Sequence, residues 1–173
     1  MKKYVKLALG LLSVISVLTV NVIYKPKTED YLHYHAGFKV YIDGTLQDYS
    51  DYKYMNFVPC TEHDIKKSKQ EEQIEKAHLH DSVGDVVHVH RDGATWGDLF
   101  NNIKVELPID KGLQGYIDGV YNEDILHAPI KPYSTAILIF GDNRASHGKE
   151  IVSVEHIKEV EAKSELCGDG REP

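Results

Sequence analysis

Six of the ten histidines of this chain lie in three His-x-His pairs, which are His33 and His35, His78 and His80, and His88 and His90. Side chains two residues apart on a β-strand point to the same face, so each pair can present two imidazoles to one metal ion. Neutral imidazole is the commonest nitrogen ligand of zinc and copper in proteins. The spacing therefore predicts a metal-binding protein whose ligands are drawn from these six histidines.

The residues alone also allow readings without a shared metal. The pairs are compatible with a polar strand face whose histidines never converge. Cys60 and His63 have the spacing of a Cys-x-x-His half-site, which is weak evidence for further ligands. The isolated histidines are expected at the surface or as hydrogen-bonded core groups, and these are His63, His127, His147 and His156.

All-imidazole sites suit both zinc and copper, and zinc is favoured because Met1 and Met55 are the only methionines for a Cu(I) site. Six histidines exceed the needs of one tetrahedral ion, which predicts capture, buffering or delivery of zinc or copper. One alternative is a small metal-dependent enzyme with an open coordination position, in which Asp81 or Asp85 acts as a base or orients a ligand, although both suit ordinary turns. Another is a structural metal site in an interaction domain. No catalytic residue is assigned.

The N-terminus joins a basic start to residues 7–23, a stretch of seventeen residues without a formal charge. This pattern predicts a membrane anchor or signal segment over residues 1–24. Tyr24-Lys25-Pro26 lacks the small residues of a cleavage site, which favours an uncleaved single-pass anchor. Because the lysines before the segment outnumber those just after it, the C-terminal domain is predicted to be extracytoplasmic at the cell membrane.

The rest of the chain is predicted to consist of a linker at 25–30, an exported His-rich domain at 31–166 and a flexible tail at 167–173. Residues 1–24 contain three of the 20 basic residues and none of the 27 acidic ones, so the rest has a net charge of −10. This acidity argues against nucleic acid as a partner. The predicted partners are therefore a metal ion and, through the N-terminal segment, the membrane. Cys60 and Cys167 are expected to form one disulfide in an oxidising compartment.

Two hairpins are predicted from matching turns. Residues 31–42 alternate as a strand, with Phe38 and Val40 on one face, and enter a turn at Asp43-Gly44. The later turn at Asp118-Gly119 follows a similar segment. Asp-Gly is the common dipeptide of two-residue hairpin turns, so both hairpins are expected to have one geometry.

Further strands are predicted around the second and third histidine pairs. Residues 86–90 are predicted to form a strand in which Val87 and Val89 face the core and His88 and His90 face the other way, and the polar turn at 81–85 brings the two pairs together. The apolar run 135–140 predicts a central strand covered on both faces. Val105 and Leu107 indicate a short strand before Pro108.

Three helices complete the prediction. A charged, solvated helix is expected over 61–77, with Thr61 and Asp64 as a capping box. A core helix is expected over 95–103, capped by Thr95. A terminal helix is expected over 150–166, and its residues directed toward the sheet are Ile151, Val154, Ile157 and Val160. The predicted fold class is α+β: an N-terminal transmembrane helix, then a small mixed domain of β-hairpins, a short core helix and a C-terminal helix.

Several motifs accompany the histidine pairs, and they are His33-x-His35-Ala36, Leu79-His80-Asp81, Val87-His88-Val89-His90 and Gly97-Asp98-Leu99-Phe100. In this combination residues 31–142 resemble a family of uncharacterised, membrane-anchored bacterial proteins with a His-x-His-Ala strand, a Leu-His-x-His-Asp segment and a Gly-Asp-Phe-Phe-like helix. The chain departs from that pattern at Leu99, which replaces the first aromatic residue, and in an acidic helix inserted after Cys60. The resemblance implies a shared exported His-rich fold and no known activity.

Overall fold

A six-stranded mixed sheet organises the computed structural model, which describes residues 32–57, 68–141 and 151–163. The strands run in the order β2-β1-β6-β4-β5, and β3 pairs with β1 on the edge that β2 also uses. Strands β1 and β6 are parallel, and the other pairs are antiparallel. The strand bounds are β1 Tyr34–Ile42, β2 Thr45–Leu46, β3 Val86–Val89, β4 Leu113–Ile117, β5 Val120–Tyr121 and β6 Thr135–Phe140.

Both predicted hairpins are confirmed and share one turn geometry. The φ angles are +49° at Asp43 and +79° at Gly44, and they are +50° at Asp118 and +80° at Gly119. Positive φ at both central residues defines the type I′ turn, whose twist matches that of the strands it joins. Each Asp-Gly pair therefore fixes the register of its hairpin.

The main core lies on one face of the sheet and contains alternate residues of β1 and β3. Phe38, Val40 and Val87 are buried there, as predicted, and β6 is buried along its whole length between β1 and β4. Helix α2, Trp96–Asn102, covers this face. Its predicted Thr95 cap is confirmed, and its buried residues are Trp96, Leu99 and Phe100.

Helix α1, Lys69–Lys76, begins at a different cap from the predicted one. Ser68 and Glu71 form its capping box, because the Ser68 hydroxyl accepts from the Glu71 amide while the Glu71 carboxylate accepts from the Ser68 amide. The predicted capping pair at Thr61 and Asp64 lies outside the described residues. Helix α1 has no buried residue, which confirms that it is a solvated helix.

Helix α3, Val154–Lys163, packs on the opposite face of the sheet from α2. Ile157 and Val160 are buried as predicted, but Ile151 and Val154 are exposed. Residues 151–153 are not helical, and Val152 is buried instead, with its carbonyl accepting from the Thr135 hydroxyl. A glycine in β1 permits this approach: a Cβ on Gly37 would stand 2.5 Å from the Val152 Cβ.

The strand predicted at Val105 and Leu107 is wrong. Residues 105–108 contain no strand, because the Val105 amide donates to the Phe100 carbonyl and continues the C-terminal turn of α2. Both side chains are partly buried against the core, so their apolar character serves packing without strand pairing.

Several predictions fall on residues that the structure does not describe. The segment at 1–24, the linker at 25–30, the tail at 167–173 and the pair Cys60 and Cys167 all lie outside the described ranges. Across residues 32–57, 68–141 and 151–163, no helix has the length and hydrophobicity needed to span a bilayer. The mixed α+β domain with its hairpins, short core helix and C-terminal helix is confirmed.

Candidate metal centre

Strand pairing brings the first and third histidine pairs together. In the antiparallel register of β1 and β3, His35 lies directly opposite His88. The same register carried one step further places His33 opposite His90. Directly opposed residues share a face and have adjacent Cβ atoms, so four imidazoles gather on the face of the sheet that α3 covers.

The second pair reaches the same face from the other side of β3. The amides and carbonyls of His78 and His88 exchange two hydrogen bonds, at 3.0 and 2.9 Å, so an isolated antiparallel bridge joins His78 to β3. Asp81 and Ser82 then adopt left-handed φ angles of +59° and +57°, which reverse the chain into β3. Aspartate and serine suit such a turn because their short polar side chains bond to nearby groups.

All six paired histidines therefore meet in one cluster. The nearly parallel rings of His33, His90 and His78 stack in that order. The centroid distance is 4.7 Å between His33 and His90 and 5.3 Å between His90 and His78. The His88 ring lies against two others, 3.9 Å from His35 and 3.4 Å from His80. The alternative of a polar face whose histidines never converge is wrong.

Three histidines of the cluster have the spacing of a metal site. His33, His35 and His88 each offer a ligand atom, and these atoms lie within 4.8 Å of one another. Nitrogens that share a tetrahedral zinc at about 2.0 Å stand about 3.3 Å apart, so small side-chain movements suffice to bind one ion. His88 Nε2 is buried and has no hydrogen-bond partner among the described residues, so it offers a lone pair to a metal when the ring proton is on Nδ1.

A short contact inside this triad also depends on proton position. His35 Nε2 and His88 Nδ1 are 2.7 Å apart, a distance that requires one N–H to donate to the other nitrogen. If both nitrogens bound one tetrahedral zinc, the His88 proton would have to lie on Nε2 instead, and the two nitrogens would move about 0.6 Å further apart.

The other two buried histidines are held by oxygen atoms at the edge of the cluster. His78 Nδ1 donates to the Ile74 carbonyl at 3.1 Å, and His80 Nδ1 donates to the Asp81 carboxylate at 2.6 Å. A neutral imidazole that donates through Nδ1 keeps its lone pair on Nε2. Metal-binding histidines commonly have such a carbonyl or carboxylate partner, so both rings are oriented as ligands are.

Helix α2 fixes the end of α1 from which His78 emerges. The Asn102 side-chain amide donates to the Gln73 and Ala77 carbonyls, both at 2.8 Å. These carbonyls lie at the C-terminal end of α1, where backbone acceptors lack helical partners. Asn102 thus anchors the segment that carries the second histidine pair to the core helix.

Burial keeps the cluster neutral. Desolvation, followed by the charges of neighbouring histidines, lowers the pKa of His35 and of His78 to about 3 and that of His90 to about 2. It lowers the pKa of His88 well below 6.5, and those of His33 and His80 as well. Because only the neutral ring can bind a metal, the cluster is ready to bind at neutral pH without losing protons from its rings.

The isolated histidines stand apart from the cluster where they are described. The side chain of His127 is 83% exposed and pairs with Asp124, and that of His156 is 44% exposed and contacts Asp85 at 3.2 Å. Asp81 and Asp85, which the sequence does not distinguish, thus have different neighbours: Asp81 holds His80, and Asp85 holds a surface histidine. His63 and His147 lie outside the described residues.

One residue of the centre has no sequence signal. Glu161 on α3 places Oε1 3.5 Å from Nδ1 of the fully buried His35, and its charge also acts on His33. In the sequence it is one of several glutamates on a charged helix and is 126 residues from His35. Its place in the centre depends on the packing of α3 over the histidine face, a long-range contact that the sequence pattern does not show.

Comparisons with protein families, with curated proteins and with solved structures give no match to this chain. Inference about its function therefore rests on the chemistry of the histidine cluster.

Proposed function

We propose that this protein captures a transition-metal ion, zinc in preference to copper, through the histidine cluster and buffers or delivers it on the extracytoplasmic side of a membrane. The observation that carries the proposal is the triad of the partly buried His33 with the buried His35 and His88, whose ligand atoms lie within 4.8 Å of one another. Three further imidazoles surround it, so an ion has alternative ligands within the same cluster. Ligands in excess of one coordination sphere suit exchange and delivery.

Zinc fits this centre better than the other candidates. The described ligands are imidazoles with carboxylates at the edge, a set of intermediate hardness that suits a tetrahedral zinc ion. The candidate site in the described part of the chain consists of histidines, and Met55 packs against the main core instead, which disfavours a dedicated Cu(I) site. The extracytoplasmic location rests on the apolar segment at residues 7–23 and its flanking lysines.

Metal-dependent hydrolysis is the second candidate function. Three histidine ligands leave a position for water on a tetrahedral ion, and His33 and His90 are only partly buried, so one side of the cluster faces solvent. Asp81, the base considered from the sequence, is engaged with His80 Nδ1 and therefore serves orientation better than proton abstraction.

The test is the metal content of the full-length chain, solubilised in detergent and purified without a His tag. The site variant carries His35→Gln and His88→Gln, and the matched control carries His127→Gln and His156→Gln, so each loses two histidines. We expect the parent and the control to bind at least one equivalent of zinc and the site variant to lose it. The proposal would be contradicted if all three proteins contained equal amounts of zinc, or if none of them bound zinc when it was supplied.

A further inference from the structure

A closed set of contacts joins helix α3 to His35. Glu161 Oε1 lies 3.5 Å from His35 Nδ1, and Glu161 Oε2 accepts a hydrogen bond from the Tyr133 hydroxyl at 2.8 Å. The Tyr133 amide in turn donates to the His35 carbonyl at 2.8 Å. Tyr133 therefore contacts the backbone of His35 and, through Glu161, faces the ring of the same residue.

The conformation of Tyr133 indicates that this arrangement is specific. Its φ angle is +58°, in the left-handed region that bulky residues rarely occupy. The turn is fixed by Ser134, whose hydroxyl donates to the Lys131 carbonyl at 2.9 Å. Unfavourable backbone conformations persist where the surroundings impose them, and they cluster at functional sites. Here the turn aims the Tyr133 hydroxyl at the carboxylate that faces the cluster.

We infer that Glu161 is the positioning carboxylate of the metal centre, held by Tyr133, and that it selects the tautomer of His35. This inference rests on the proposed function. A carboxylate beside Nδ1 stabilises the N–H there and opposes a lone pair, so it places the acceptor of His35 on Nε2. Nε2 is the nitrogen that faces His88, 2.7 Å away, inside the cluster. A histidine that donates one ring nitrogen to a carboxylate is the arrangement by which proteins orient metal ligands.

The contact between Glu161 and His35 strengthens when metal binds. At 3.5 Å it is about 0.6 Å longer than a formed N–H···O bond, and His35 Nδ1 has no hydrogen-bond partner among the described residues. Binding through Nε2 polarises the ring and makes its N–H a stronger donor. Metal occupancy and the docking of α3 on the sheet are thus linked through this pair.

The experiment compares Zn²⁺ affinity by chelator competition in the full-length chain in detergent. Glu161→Gln removes the charge at constant size, and Glu159→Gln, exposed on the same helix, is the matched control. We expect Glu161→Gln to weaken Zn²⁺ binding about 10- to 100-fold and Glu159→Gln to leave it unchanged. Long-range ¹⁵N–¹H correlations of His35 are expected to show an Nδ1-protonated ring in the parent and loss of that preference in Glu161→Gln.

Tyr133→Phe keeps the ring and removes only the hydroxyl, so it tests the same role without removing the carboxylate. We expect a smaller loss of Zn²⁺ affinity in the same direction, and no further loss when it is combined with Glu161→Gln. Unchanged affinity and an unchanged His35 tautomer in folded Glu161→Gln would overturn the inference while the proposed function stood. A parent chain that binds no Zn²⁺ would overturn both.

Discussion

Acidification should destabilise the metal-free protein because the cluster holds its imidazoles neutral. Burial lowers the pKa of His35 and His78 to about 3, whereas an imidazole in an unfolded chain titrates near 6.5. The unfolded chain therefore binds more protons than the folded chain between about pH 6.5 and pH 3, and stability falls as the pH falls through that window. Above pH 6.5 these rings are neutral in both the folded and the unfolded chain, so they no longer contribute to the pH dependence of stability.

The magnitude follows from the unfolded value alone, since the folded pKa lies far below the conditions of the assay. Each of the two buried rings lowers the free energy of unfolding by about 1.4 kcal/mol between pH 7.5 and pH 5.5, so His35 and His78 together lower it by about 3 kcal/mol. His88, whose pKa burial also lowers, acts in the same direction. A loss of this size is a large part of the stability of a small domain.

Urea unfolding with excess chelator, followed by fluorescence of the single tryptophan, measures this loss. Trp96 is fully buried in the core, so its emission reports global unfolding. We expect the free energy of unfolding to fall by about 3 kcal/mol or more between pH 7.5 and pH 5.5. His127→Gln, an exposed position, should show the same fall. A parent chain equally stable at both pH values would refute the idea that the folded state keeps these rings neutral.

Three further results are expected. Zn²⁺ at about 100 times its dissociation constant should raise the free energy of unfolding at pH 7.5 by about 2.7 kcal/mol, and the His35→Gln/His88→Gln variant should not respond. Gly37→Ala should destabilise the protein by about 1 to 3 kcal/mol in thermal unfolding, because its Cβ would overlap Val152. Asp81→Asn should weaken Zn²⁺ binding about 10-fold by removing the charged partner of His80, whereas Asp85→Asn should not.

Each of these results has a contradicting outcome. Equal stabilisation of the parent and the double variant by Zn²⁺ would place the binding site elsewhere in the chain. A Gly37→Ala protein as stable as the parent would mean that the segment around Val152 does not need its close approach to β1. Equal Zn²⁺ affinity in the two aspartate variants would show that Asp81 does not support metal binding by the centre.

The ligand pairs and local elements were accessible from the sequence because their signals are local. The i, i+2 spacing of His88 and His90 against buried Val87 and Val89 gives both the strand and the face on which the histidines lie. The two Asp-Gly turns and the helix that Thr95 caps likewise depend on neighbouring residues.

The assembly of the centre was not accessible because it depends on pairing between distant segments. The opposition of His35 and His88 joins residues 53 positions apart, and periodicity carries no information on which strands pair. The predicted start of the last helix was also wrong, since the helix begins at Val154 and Val152, not Ile151 or Val154, meets the sheet beside Gly37. The contact of Glu161 with His35 likewise depends on the packing of α3 over the histidine face and leaves no pattern in the sequence.

Burial in the folded state also changes the expected pH dependence of metal binding. For unburied imidazoles, affinity is expected to weaken through about pH 6. With the pKa of His35 and His78 at about 3, protons compete for the folded site only at lower pH. Loss of metal on acidification should therefore track unfolding of the domain and not protonation of the folded site.

The most direct test of the metal centre is X-ray absorption spectroscopy of the zinc-loaded full-length chain. A site formed by His33, His35 and His88 predicts at least three nitrogen ligands at about 2.0 Å, with the multiple scattering of imidazole rings. A spectrum with sulfur at about 2.3 Å, or with an oxygen shell lacking imidazole scattering, would contradict the account, because zinc would then be bound outside the histidine cluster.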